Sequence, residues 1–243
     1  MTRILAIDAS TEACSVALFN DNEITDRHQL APREHARLLL PMIDELLARS
    51  ELTLSQLDAI ACHVGPGAFT GIRIAVSVAQ GLAFAANLPT IALSTLANLA
   101  CQGHQSTPIA HWYCAIDARM SEIYYAEFSV DSKALALPSG NEIVVPPLAL
   151  VEQKQTQQTE PGGYQPAQTG LIGNGWVAYK DQLLQKSVFS EVVREGVLLS
   201  DCLPSARFGL EMAKDKLFKK DLLEPQALQP VYLRNQVAAK KSG

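Results

Sequence analysis

The chain lacks an excess of positive charge, paired cysteines, and the short motifs of common hydrolases. Among its 243 residues, 20 Lys and Arg stand against 25 Asp and Glu, a net charge of -5. A protein that grips nucleic acid unaided needs a basic face to neutralise phosphates, so any RNA contact is expected to be indirect. The one basic cluster, Arg234, Lys240 and Lys241, reads as a solvated tail. Five widely spaced cysteines, Cys14, Cys62, Cys101, Cys114 and Cys202, include no CxxC pair, which fits reduced thiols and excludes a zinc ribbon. There is no HExxH and no Gly-x-Ser-x-Gly, and no apolar run is expected to reach a membrane-spanning length. With no signal-like leader before the first strand, a cytoplasmic location is expected.

What is present is a folding composition, 48% hydrophobic and 19% charged, in the alternating pattern of an α/β protein. Ile4-Leu5-Ala6-Ile7-Asp8-Ala9 and Cys14-Ser15-Val16-Ala17-Leu18-Phe19 read as two strands about a polar turn. Shifted by 109 positions without a gap, the chain repeats this hairpin around Ala115-Ile116-Asp117-Ala118, with six identities in sixteen aligned positions. Duplication into two lobes, 1–108 and 109–243, follows. The end of the chain can pack back on the first lobe, and a Gln/Thr-rich insert lies near 152–170. Asp8 and Asp117 end the first strand of each hairpin, where an Asp either accepts turn N–H bonds or orients a metal-bound phosphate across a cleft.

The densest signal is Gly65-Pro66-Gly67-Ala68-Phe69-Thr70-Gly71-Ile72-Arg73, which joins an apolar strand to a long helix. Unpaired N–H groups at such a junction make a possible anion site, and a tight turn needing positive φ is the structural alternative. The helix behind it is apolar all round, with Ile74, Val78 and Gly81 on one side and Ile72, Ala75 and Ala79 on the other. A helix without a polar face is covered on both sides. A preceding helix, expected from Pro32, carries Leu38 and Met42 beside His35, apart from its main stripe of Ala36, Leu39, Leu40, Ile43, Leu46 and Leu47. The two surplus apolar faces predict a protein interface made of His35, Leu38, Met42, Phe69, Ile74, Val78 and Gly81. A helix is also expected over 203–218.

The N-terminal Ile-Asp-Ala-Ser-Thr, residues 65–73, Arg33-Glu34-His35, Ala115-Ile116-Asp117-Ala118-Arg119 and the terminal Pro230-Val231-Tyr232-Leu233-Arg234-Asn235 together resemble the TsaB (YeaZ) family of bacterial threonylcarbamoyladenosine synthesis. The resemblance implies an α/β fold of the ASKHA class (sugar kinase, Hsp70 and actin), with two ribonuclease-H-like lobes whose mixed sheets are flanked by helices. It implies a non-catalytic scaffold that binds and activates TsaD, the enzyme that transfers threonylcarbamoyl to the adenosine beside the tRNA anticodon. TsaE, a small ATPase, and a second copy of the chain are further implied partners.

TsaD holds its metal partly through a His-x-x-x-His pair on the first long helix, and here His35 is followed by Leu39. His28, His63, His104 and His111 form no replacement pattern, so no metal is expected. Asp8, Ser10, Gly65, Gly67, Asp117, Gly173 and Gly175 remain as a vestigial nucleotide or anion site. Gly173-Asn174-Gly175 interrupts the consecutive glycines of ATP-binding relatives, and no nucleotide cofactor is expected of the chain alone. The alternatives are an ASKHA phosphotransferase using Asp8 or Asp117, and an M22-type glycoprotein endopeptidase. The latter has Phe69 in the middle of Gly67-Ala68-Phe69-Thr70-Gly71, where a nucleophile would stand.

Overall fold

A computed structural model describes residues 2–157, 165–185 and 188–234. The first sheet contains β1 (Arg3–Asp8), β2 (Ala13–Asn20), β3 (Glu23–Leu30), β4 (Ala59–Gly65) and β5 (Thr90–Ser94), in the order β3-β2-β1-β4-β5. The second contains β6 (His111–Asp117), β7 (Ile123–Val130), β8 (Ala136–Pro138), β9 (Ile143–Val145), β10 (Thr169–Ile172) and β11 (Val197–Leu199). Its order is β8-β7-β6-β10-β11, with β9 also on β7. Each sheet places its first strand centrally, antiparallel to the second and parallel to a later one, β4 in the first sheet and β10 in the second. The two hairpins read as a sequence repeat are therefore the same structural unit used twice.

Helices α1 (His35–Arg49) and α2 (Phe69–Ala86) cover the outer face of the first sheet. Between the sheets lie α3 (Thr95–Ser106) and α8 (Leu210–Lys219), in a core that includes Ile4, Ala6, Leu99, Trp112, Ile116 and Leu210. The outer face of the second sheet is covered by α4 (Pro147–Gln157), α5 (Gly175–Ala178), α6 (Lys180–Leu183) and α7 (Val188–Glu195). There Trp176 and Phe189 meet at 4.9 Å between ring centroids. The central core, belonging to both sheets, fixes the lobes at the rear.

Several boundaries differ from those read in the sequence. Pro32, Arg33 and Glu34 precede α1, because Arg33 takes a left-handed φ of 66° that a helix cannot contain. The expected insert is partly regular structure. Leu150 anchors α4 in the core, while Thr169 and Gly170 pair with His111 and Trp112; residues 158–164 fall outside those described. The helix expected from 203 begins with a 3-10 turn at Ala206–Gly209, and α8 proper starts at Leu210.

The expectation of no membrane-length apolar run is also corrected. By length and composition α2, 18 residues with mean hydropathy 1.4, could cross a membrane. Ile72, Ala75, Val76, Ala79 and Ala83 on one of its sides are buried in the core behind β4. Ser94 caps α3 by accepting the Ala97 N–H at 3.1 Å.

The turn between β4 and α2 is held by contact of backbone with backbone. Gly65 has φ of 118°, a conformation that disfavours a side chain. A Cβ on Gly67 would lie 2.3 Å from the Ser10 carbonyl oxygen, and one on Gly71 2.0 Å from that of Ala9. Both obstacles are backbone atoms of the β1–β2 turn, which cannot move aside. Gly81, by contrast, faces open space. Gly71→Ala is therefore expected to lower stability by about 3 kcal/mol or more, while Gly81→Ala changes it by about 1 kcal/mol or less, towards stabilisation. Urea unfolding of the two variants checks this, and equal effects would refute the backbone-contact account.

Candidate functional site

Between the lobes, at the ends of β1, β4 and β6, lies a cavity of about 780 Å³. Its walls include Ser10 and Glu12 of the first hairpin, Phe69 and Thr70 of α2, Asp117 and Arg119 of the second hairpin, and residues 231–234 of the terminal segment. This is where a duplicated α/β fold of this kind would bind a ligand.

The two repeated aspartates do not offer carboxylates to the cavity in the way a metal-bound phosphate requires. Asp8 is 1% exposed, and its Oδ1 accepts both the Ser10 N–H at 2.7 Å and the Ser10 hydroxyl at 2.6 Å. Its Oδ2 faces inward, 3.4 Å from His63 Nδ1, which also contacts the Ile7 carbonyl oxygen at 3.2 Å. Asp117 accepts the Arg119 N–H at 2.8 Å and the Tyr179 hydroxyl at 3.0 Å on Oδ1, and its Oδ2 pairs with Arg119 Nη1 at 2.9 Å. Burial, and then the neighbouring Asp117, raise the Tyr179 phenol above its usual range, keeping it a donor. Both aspartates thus serve as braces of their own turns.

The glycines have a similar local use. The Ala68 N–H donates to the Ser10 carbonyl at 2.7 Å, so one donor of the supposed phosphate cradle is already taken. In the second lobe, a Cβ on Gly173 would fall 2.2 Å from the Ala115 carbonyl oxygen, and one on Gly175 2.9 Å from the Ala115 backbone. Asn174 between them accepts the Asp117 N–H at 3.0 Å. The residues of the vestigial site are brought together around one cleft, where Asp8 Oδ1, Ser10 and Asp117 are engaged in local hydrogen bonds while Asp8 Oδ2 is buried without a hydrogen-bond partner. Among the described residues no three His, Cys, Asp or Glu side chains form a metal-binding group.

The interface residues divide. On α1, His35 is 7% and Met42 5% exposed, and His35 Nε2 sits 3.2 Å from the Ala13 carbonyl oxygen. These two belong to the chain's own core, correcting their assignment to a docking face; Leu38 is half-buried beside them. The helix is rotated relative to the sequence reading, so that Ala36 and Leu40, expected inside, are exposed. On α2, Ile74 and Val78 are half-buried, Gly81 and Ala85 are exposed, and Phe69 and Phe84 stand 46% and 78% exposed. Apart from Arg73, that side of the helix carries no charge.

Sequence reasoning missed the terminal segment as a structural part of the cleft. Arg234 is no tail residue. It pairs with Glu122 and donates to the Ala118 carbonyl at 3.2 Å, whereas Lys240 and Lys241 lie outside the described residues. A single arginine following Val231-Tyr232-Leu233, an apolar triplet, was the available signal. Arg119 was quoted only within a motif, yet it pairs with Glu12 across the cavity mouth.

Two lobes with the same strand order, opened by equivalent hairpins and facing each other across a cleft, define a duplicated α/β protein whose two mixed sheets are flanked by helices. The sequence pattern of the TsaD family, tRNA N6-adenosine threonylcarbamoyltransferase, matches residues 23–241. The tRNA threonylcarbamoyladenosine biosynthesis protein TsaB of Escherichia coli is 38% identical over 98% of this chain and 97% of its own length. That of Haemophilus influenzae is 37% identical over 98% and 96%. The solved structure of YeaZ from Pseudomonas aeruginosa superposes with a TM-score of 0.82 at 36% identity, covering 96% of this chain and all of that one. The chain belongs to the TsaD/TsaB family, among relatives named TsaB.

The five thiols are free, with four of them buried and Cys202 half-buried. Burial, with a smaller contribution from Asp8, pushes the Cys14 thiol up from 9.0 to about 11; burial, partly offset by a backbone hydrogen bond, takes Cys101 to about 12. Cys62 and Cys114 are raised well above their ordinary value, again by burial. Because the fold holds these thiols protonated, the unfolded chain releases their protons first. Their stabilising effect is complete below pH 9 and declines as pH rises from 9 towards 11 and 12. Thermal unfolding across that range is expected to show the decline. In the native chain at about pH 7.5 a thiol reagent should label Cys202 before the other four. Rapid native labelling of Cys14 or Cys62 would contradict the assigned burial.

Proposed function

We propose that the chain is the non-catalytic accessory subunit of the complex that installs threonylcarbamoyl on the adenosine next to the tRNA anticodon, docking on a TsaD-type catalytic subunit through α2. The observation that carries this reading is the uncovered side of α2. Phe69, Ile74, Val78, Gly81 and Phe84 present an apolar surface with small residues where a second helix can approach closely. Leu40 of α1, 45% exposed, adds to the apolar surface of this layer. The same face suits a second copy of the chain, so a homodimer and the heterodimer compete for it. A TsaE-like ATPase is the third partner in this reading, and tRNA reaches the chain only through the complex, consistent with its net charge of -5.

In this reading the cytoplasmic chain contributes an interface and no reacting group. Its two cleft aspartates are committed to turn hydrogen bonds and ion pairs, which favours a scaffold over a phosphotransferase. An endopeptidase is disfavoured because Phe69 replaces a nucleophile on the glycine turn and the buried thiols are held protonated. We read the chain as holding neither metal nor nucleotide by itself.

Val78→Glu places an unpaired carboxylate at the middle of the face. It is expected to weaken association with the TsaD-type subunit by at least about 100-fold and to remove tRNA modification with it. Phe84→Asp, at a side chain 78% exposed, should have the same effect without disturbing the chain's own fold. Analytical ultracentrifugation of the mixed subunits and mass spectrometry of tRNA nucleosides provide the readouts. Normal pairing and modification by Phe84→Asp would rule out this docking face.

A further inference from the structure

The rear of the molecule is joined by a continuous apolar core, and polar contacts bridge the cleft mouth. One bridge is the Arg119–Glu12 pair, exposed on the Arg119 side. The other is the terminal segment. Its Val231 N–H donates to the Val64 carbonyl of β4 at 2.8 Å, tying it to the first lobe. Tyr232 accepts Arg73 Nε on its hydroxyl at 2.7 Å, and its ring lies 5.4 Å from that of Phe69. The Arg73 guanidinium carbon sits 3.6 Å above the Phe69 ring centroid, so the three side chains form one cation–aromatic joint at the first turns of α2. Two residues on, Arg234 reaches the second lobe, donating to the Ala118 carbonyl at 3.2 Å, contacting the Arg119 carbonyl at 3.4 Å and pairing with Glu122.

The turn that Arg234 grips is strained. Arg119, Met120 and Ser121 have φ of 61°, 56° and 60°, three consecutive non-glycine residues in the left-handed region. Side-chain packing does little to hold them there, since Arg119 and Met120 are 71% and 72% exposed. What closes the turn is the Ala118 N–H to the Glu122 carbonyl at 3.0 Å, the Glu122 N–H to the Arg119 carbonyl at 3.1 Å, the Arg119 N–H to the Asp117 carboxylate at 2.8 Å, and Arg234 on the Ala118 and Arg119 carbonyls. The terminal segment is thus one of the contacts that hold this strained turn in place.

We propose that residues 231–234 form a clasp that couples docking on α2 to the conformation of the opposite lobe's hairpin turn at the cleft mouth. The coupling rests on the docking reading above. A partner that covers Phe69 also covers Tyr232, 43% exposed beside it, and thereby dries and strengthens the joint with Arg73. A firmer anchor at 232 holds Arg234 on the 118–122 turn. Occupancy of a helix face on the first lobe is in this way transmitted to a turn on the second.

Amide hydrogen exchange on the full chain tests this, read at the Ala118 and Glu122 N–H groups. In the chain alone, Arg234→Ala or Arg234→Gln should speed exchange at both amides. On addition of the TsaD-type subunit in excess, exchange at these amides in the unaltered chain should slow by at least about fivefold. Arg234→Ala should still dock yet lose that slowing, and Tyr232→Phe, which gives up only the Arg73 hydrogen bond, should retain part of it. Equal slowing in the unaltered chain and in Arg234→Ala would mean direct contact by the partner and would overturn the clasp, as would docking without any slowing. If the unaltered chain does not dock, the interface reading fails and the coupling with it. The clasp as an internal brace would then be refuted by unchanged exchange in the isolated Arg234 variants.

Discussion

Everything at the front of this molecule depends on how closely the 65–73 turn approaches the turn between β1 and β2. Two carbonyl oxygens, of Ala9 and Ser10, occupy the volume that side chains on Gly71 and Gly67 would need, and the Ala68 N–H closes the contact. Backbone groups brought this near must be glycine on one side and hydrogen-bonded between them. That contact sets the point from which α2 leaves the sheet. Ile72, Ala75 and Ala79 are thereby directed into the core, and Ile74, Val78 and Phe84 towards the surface.

The same contact also engages polar groups at the floor of the cleft. A glycine turn facing a carboxylate and a helix N-terminus has the ingredients of a phosphate site. Here several of these groups bond to one another: Asp8 accepts from Ser10, the Ser10 carbonyl accepts from Ala68, and Asp117 pairs with Arg119 and accepts from Tyr179. The cavity of about 780 Å³ persists as a consequence of the two-lobed architecture, bounded at its mouth by ion pairs and the terminal segment.

Much of the fold was legible because its signals were local and repeated. Matching hairpins 109 positions apart announced two lobes, and the 65–73 stretch announced a strand, a turn and a long helix. The face of α1 was not legible. Helical spacing groups His35 with Leu38 and Met42, but the chain enters the helix only after Arg33 takes a left-handed conformation, and the resulting rotation buries His35 and Met42. The role of Arg234 was hidden for a different reason. Its partners lie more than 100 residues away, at 118, 119 and 122, and no periodicity encodes such a pairing.

The central claim is that the uncovered side of α2 is where this chain does its work. Photo-crosslinking tests it most directly, with a crosslinker installed at Phe84 on α2 or, as a reference, at Leu137 on β8, both exposed. With the TsaD-type subunit present, the account predicts a covalent heterodimer from position 84 and none from position 137. A heterodimer from position 137, with position 84 silent, would contradict it.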